Sequence, residues 1–305
     1  MPQILHPQEK TQKDIARRVS ISKIMVTTDF SPVSDRALDY AIALASRYDA
    51  QIYIAHVITP DPFQFAEPQL AQATYEKVRQ AAEEGITEIL ISGKLRGVAH
   101  EVLLEEGDVW PSLDKLIVQH EIDLVVVGTH GRGKFQKLLI GSVAEEIFRK
   151  ADCAVLTVGP EVKTGEPKEA ELNRILFATD FGPGAKKAAA YALSLAQEHD
   201  ATLTFLHVIE SAAAYTEESV ARQREINVVR MKQMMPEGSE NWCKPEFRAT
   251  FGAAVEEILI AARESKADLI VMGAKARQSL AGHAPLTIAY NVVTKATCPV
   301  LTVRG

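Results

Sequence analysis

Gly128, Gly131, Gly133, Gly141 and Ser142, interleaved with Thr129, His130, Arg132, Lys134 and Lys137, form the stretch of this chain best suited to hold a charged small molecule. Gly128 and Gly131 let the backbone turn sharply and leave amide groups open to an anion that a side chain would shield. Gly141 and Ser142 then open a helix, whose unpaired N–H groups and positive dipole end favour phosphate. Ser142 serves there either as the helix cap or as a hydroxyl donor to the phosphate. Arg132, Lys134 and Lys137 add positive charge beside the same loop. These groups supply the chemistry that a polyphosphate tail needs. His130 is placed for general-base work, but no nucleophile pairs with it, and a neutral donor role accounts for it equally well.

Such a loop needs elements to position it. Strands are expected over 23–28, 51–58, 99–105, 123–127 and 154–158, and helices over 36–48, 69–92, 112–120 and 142–150, with Ser31 and Pro32 starting the first helix. Strands that are apolar at their centres and alternate with helices imply a parallel sheet covered on both faces. Each such domain is then a doubly wound α/β unit of five strands, Rossmann-like in architecture. Ligands of these sheets bind beyond the carboxyl ends of the strands, where the strand order reverses. Asp29, His56, Val57 and the loop from Gly128 all fall at such ends. Asp29 has a second reading as a brace for the turn before Ser31, and His56 is read as a packed strand residue rather than a catalyst.

The pattern is written twice. The offset is 151 residues from Asp29 to Asp180 and from His56 to His207, and 145 from Gly128 to Gly273 and from Cys153 to Cys298. A period this long means duplication of a whole domain rather than a solenoid repeat. The expected organisation is a polar leader over 1–20, a first domain over 21–159, a Glu/Lys/Pro/Gly-rich linker over 160–173 and a second domain over 174–305. The second copy has Ala276 where the first has Gly131, and Leu286-Thr287 where the first has Gly141-Ser142. Polyphosphate binding is therefore expected in the first copy, with the second acting as a structural partner.

Bulk properties exclude other classes. With 305 residues, 47% of them hydrophobic, the chain can bury two cores, and a net charge of -6 with a pI near 5.8 gives no general attraction to nucleic acid. Three cysteines, Cys153, Cys243 and Cys298, contain no CxxC pair; the first and last read as core packing. No apolar run is long enough for a membrane span, so a cytoplasmic protein is expected.

The glycine spacing, the Thr28-Asp29-Phe30 turn, the His56-Val57 pair and the closing Val155-Leu156-Thr157-Val158 run resemble the universal stress protein family, in its ATP-binding branch. The likeness covers nearly all of both copies. The resemblance implies an adenine nucleotide with its base near Asp29 and Val57, its ribose near Thr27 and Gly128, and its phosphates on Gly131, Gly141, Ser142 and Val143, with Thr28 also among the nucleotide-binding residues. It also implies that Thr129, His130, Gly131, Arg132, Gly133 and Lys134 line a covering loop, and it allows a magnesium ion on the phosphates. Family members commonly pair through their last strands, which implies a pseudo-dimer of the two domains. The helix over 216–235 offers a further homodimer surface or a cover for its own sheet.

The expected function is a stress-response nucleotide sensor or regulator acting on a protein partner that the sequence does not name. An ATPase or nucleotidyl-transfer enzyme is the alternative from another class, although the chain has no Walker lysine motif. A nucleotide-independent interaction module is the third reading.

Overall fold

The computed structural model describes residues 19–59, 68–129, 140–162, 172–210, 216–235, 244–274 and 287–305. The described residues form two compact units, Ser20–Pro160 and a second that comprises residues 19, 161–162 and 172–305. Of the leader only residues 19 and 20 are described; Cys243 and most of the linker lie outside the described residues.

The first unit runs β1 (Lys23–Thr27), α1 (Pro32–Tyr48), β2 (Gln51–Ile58), α2 (Pro68–Ile91), β3 (His100–Glu106), α3 (Val109–Gln119), β4 (Leu124–Gly128), α4 (Ser142–Lys150) and β5 (Ala154–Val158). Its strands lie in the order β3-β2-β1-β4-β5, all parallel. The order reverses between β1 and β4, so the crevice of this sheet opens at their carboxyl ends. Ile24, Met25, Val26, Val125 and Val126 are at most 1% exposed, which explains runs without a polar alternation. Asp123 ties the lower ends of β1 and β4 together: its Oδ2 accepts bonds from the Ser22 and Lys23 amides at 2.9 and 3.0 Å.

Helix α1 begins earlier than its apolar period suggested. Ser31 is the N-cap, its hydroxyl accepting from the Ser34 amide at 3.2 Å, and Pro32 stands in the first turn. A side-chain cap of this kind is worth about 1 kcal/mol, enough to start the helix ahead of its buried stripe. The third helix likewise starts at Val109 rather than 112, because Trp110 is already buried.

The second unit repeats this plan with β6 (Arg174–Ala178), α5 (Pro183–His199), β7 (Thr202–Ile209), α6 (Glu217–Lys232), β8 (Lys244–Phe251), α7 (Ala254–Glu264), β9 (Leu269–Ala274), α8 (Ile288–Lys295) and β10 (Val300–Arg304). The strand order is β8-β7-β6-β9-β10, again parallel, with the reversal between β6 and β9. Asp268 repeats the brace of Asp123, accepting from the Asn173 and Arg174 amides at 2.9 Å. Helix α6 lies against β7 and β8 of its own sheet, burying Asn227 and Met231 while Ile226 and Val229 face outward. Cys298 is buried in its core and Cys153 is half-buried: burial pushes the Cys153 thiol up to about 11 and the Cys298 thiol to about 12, so both stay protonated at neutral pH.

Candidate functional site

The turn after β1 is held by its own side chains. Thr28 Oγ1 accepts from the Phe30 amide at 3.0 Å, and Asp29 Oδ1 accepts from the Ser31 amide at 3.1 Å. Phe30 thereby sits at φ 62, a left-handed conformation that costs a bulky residue on the order of 1–3 kcal/mol. Its ring stacks on His56 with centroids 4.6 Å apart. It also lies against Gly85, where an added Cβ would come within 2.6 Å of Phe30 Cδ1. His56 Nδ1 is 2.7 Å from the Thr28 carbonyl, which can only accept, so that nitrogen carries the proton. His56 is thus a packed strand residue that fixes the turn, as its sequence context suggested. Asp29 fulfils its bracing role and also faces the crevice.

A cleft of about 270 Å³ opens at the carboxyl ends of β1, β2 and β4. Thr27, Thr28, Asp29, Val57, Gly128, Gly141, Ser142 and Val143 line it together, although 116 positions separate the first from the last. Val109 and Leu113 of α3 form an apolar wall that sequence reasoning missed. Their only signal was position, directly after the Gly107 turn. Gly107 has φ 132, so that turn needs glycine for its backbone.

Three expectations need revision. Gly128 does not serve a sharp turn: it ends β4, and a Cβ there would stand 3.0 Å from the Val33 backbone carbon and 3.1 Å from the Ser34 amide. Its role is to let β4 meet the start of α1. Ser142 is not the cap of α4; Gly141 is, at φ -59 and ψ 150, and among the described residues no side-chain cap bond is made there. The consequence is an open helix N-terminus at the cleft. Thr129 does not line the cleft: its side chain is 1% exposed. Its amide donates to Val158 and its carbonyl accepts from Gly141 at 2.7 Å, joining the two ends of the intervening segment. His130, Gly131, Arg132, Gly133, Lys134 and Lys137 lie outside the described residues.

The second unit keeps the turn and the cleft. Thr179, Asp180 and Phe181 repeat the first turn, with Phe181 at φ 62 and His207 Nδ1 2.8 Å from the Thr179 carbonyl. The cleft there measures about 390 Å³ and is lined by Asp180, His207, Val208, Gly273 and Thr287 among others. Its close contacts differ. Arg230 replaces Gly85 and lays its guanidinium 3.8 Å above the Phe181 ring. Burial, with help from that cation, holds His207 below its ordinary 6.5, so the ring is neutral at pH 7. Thr287 caps α8 with its own hydroxyl, accepting from the Tyr290 amide at 3.2 Å. Glu210 Oε1 accepts from the Ala254 amide at 3.0 Å, satisfying the start of α7. Ala276 and Leu286 lie outside the described residues.

The model of the universal stress protein family matches residues 20–159 and again 171–304. The chain belongs to that family. A universal stress protein of Methanocaldococcus jannaschii is 29% identical over 137 residues, 45% of this chain and 81% of that one. A Staphylococcus aureus relative is 33% identical over 148 residues, 47% of this chain and 87% of its own. Among solved structures, a universal stress protein of Archaeoglobus fulgidus has a TM-score of 0.69 at 20% identity, covering 94% of this chain and 99% of that chain, a likeness of fold. Each unit is a tandem copy of the family's α/β domain; the two relatives by sequence match at the scale of a single copy and the Archaeoglobus structure at the scale of both. No helix among the described residues is long and apolar enough to cross a membrane.

Proposed function

We propose that the first unit binds ATP and that the protein acts as a nucleotide-responsive regulator in the stress response. One observation carries this reading: the open N-terminus of α4 faces the same cleft as Asp29 and Val57. The Ser142, Val143 and Ala144 amides donate to the phosphates, where the helix dipole adds to the attraction. Val57 and Asp29 receive the base, and Val109 and Leu113 cover its face. The ribose lies by Thr27, Thr28 and Gly128. A magnesium ion enters as the counter-ion of the phosphates, since no three His, Cys, Asp or Glu side chains gather to hold one among the described residues. Occupancy is passed to a protein partner through the segment bracketed by Thr129 and Gly141, which carries His130, Gly131, Arg132, Gly133 and Lys134. A cytoplasmic location belongs to the same proposal. So does association through the last strands or with a second copy, on the ground of their apolar sequence alone. Calorimetric titration of the whole chain with ATP tests the reading. Saturable binding that weakens at least tenfold in Gly141→Leu is expected, and an affinity indifferent to that change would refute it.

A further inference from the structure

The second cleft is no remnant of the first, because its changes follow one chemical direction. Two helix starts face each cleft. In the first unit, α3 and α4 begin at Asp108 and Gly141, and neither receives a side-chain cap among the described residues. In the second unit, Glu210 occupies the first amide of α7 and Thr287 occupies the third residue of α8. One amide at each start is thus already bonded, and one of the bonding groups is a carboxylate whose charge opposes an anion. Thr59 stands in the first copy where Glu210 stands in the second, by the 151-residue offset that also relates His56 to His207. The opposite end of the cleft has not changed in kind. Thr179, Asp180, Val208 and Gly273 repeat Thr28, Asp29, Val57 and Gly128, assigned above to base and ribose, with Ala178 in place of Thr27, and Ile258 and Met272 give an apolar wall.

We infer that the second unit holds a separate site for an uncharged nucleoside, which takes base and ribose and refuses phosphate. The inference rests on the assignment of Thr28, Asp29 and Val57 to the nucleoside end of the first cleft. Glu210 is the discriminating residue: a phosphate entering beside it meets a like charge, and at each of the two helix starts one amide is already engaged. A neutral ligand meets the Asp180 carboxylate, which accepts from amino and hydroxyl groups, and a neutral His207, and is not repelled by Glu210.

The test is titration of the full chain with adenosine, first alone and then saturated with ATP. One adenosine per chain is expected in the ATP-saturated protein, with AMP at least tenfold weaker at that site. Glu210→Gln, at an exposed position, should narrow the gap severalfold while adenosine affinity holds. Met272→Trp, which fills the cleft, should abolish adenosine uptake and leave ATP binding intact. No uptake of adenosine by the ATP-saturated chain overturns the inference, as does AMP binding there as tightly as adenosine. A chain that binds no ATP but binds adenosine sensitively to Met272→Trp refutes the assignment of the first cleft and upholds the second site. Adenosine displaced one for one by ATP places it in the first cleft and overturns the second site alone.

Discussion

Helices α4 and α8 begin at the same place in the repeat and end up as opposites. Ser142 and Thr287 are aligned, yet Ser142 is the first helical residue behind a glycine cap, whereas Thr287 is itself the cap and bonds the Tyr290 amide. A one-residue shift in the helix start decides whether its amides face a ligand or a hydroxyl. Glu210 makes the same difference at α7, while α3 has no such cap. The lesson is that the donors a phosphate would need can be engaged from within the fold as well as hidden by a bulkier side chain. Elsewhere the copies agree closely, since the strained Thr-Asp-Phe turn and the histidine that supports it recur bond for bond.

The largest expected effect tests the shared frame. A Cβ at Gly273 would stand 2.4 Å from the Ala185 amide, against 3.0 Å for the nearest neighbour of Gly128. Gly273→Ala should lower stability in urea unfolding by about 2–3 kcal/mol and Gly128→Ala by about 1 kcal/mol; equal losses would show that the two strand ends are packed alike. Next comes Ser142→Asp, which should move two observables in opposite directions. A negative charge in the first turn of α4 should stabilise that helix by about 0.3–1 kcal/mol, while ATP affinity falls about tenfold, or about 1.4 kcal/mol. A rise in both would break the assignment of α4 to phosphate. Removing a hydroxyl should then distinguish the two helix starts: Thr287→Ala costs about 1 kcal/mol of stability and Ser142→Ala less than about 0.5 kcal/mol. The smallest effect is on pH dependence. His207 has its folded pKa depressed, so its contribution is present above about 6.5, the unfolded value, and is lost as pH falls through the folded pKa. The second unit should therefore weaken in acid, and His207→Gln should flatten that slope in thermal melts.

Much of this was legible in residues near one another. The starts of β2, α4 and β5 fall where the pattern changes, directly after Ala50, Gly141 and Cys153. The cleft residues were legible too, because a doubly wound sheet forces strand ends 29, 57 and 128 to one side. What was hidden depends on distant partners. Gly128 looks like a loop glycine until Val33 is seen against it, and Gly85 looks like a flaw in α2 until Phe30 lies on it. The bond from Ala254 to Glu210 spans 44 residues and has no local signature. The two roles open for Ser142, cap or hydroxyl donor, could not be separated in sequence because Ser is a favoured cap residue and only backbone angles reveal that Gly141 holds the place.

The asymmetry of the two clefts is tested most directly by counting ATP on the intact chain in native mass spectrometry, alongside the Ser142→Asp variant. One ATP per chain, lost in the variant, is the predicted result; two per chain, or one that survives Ser142→Asp unchanged, would contradict it.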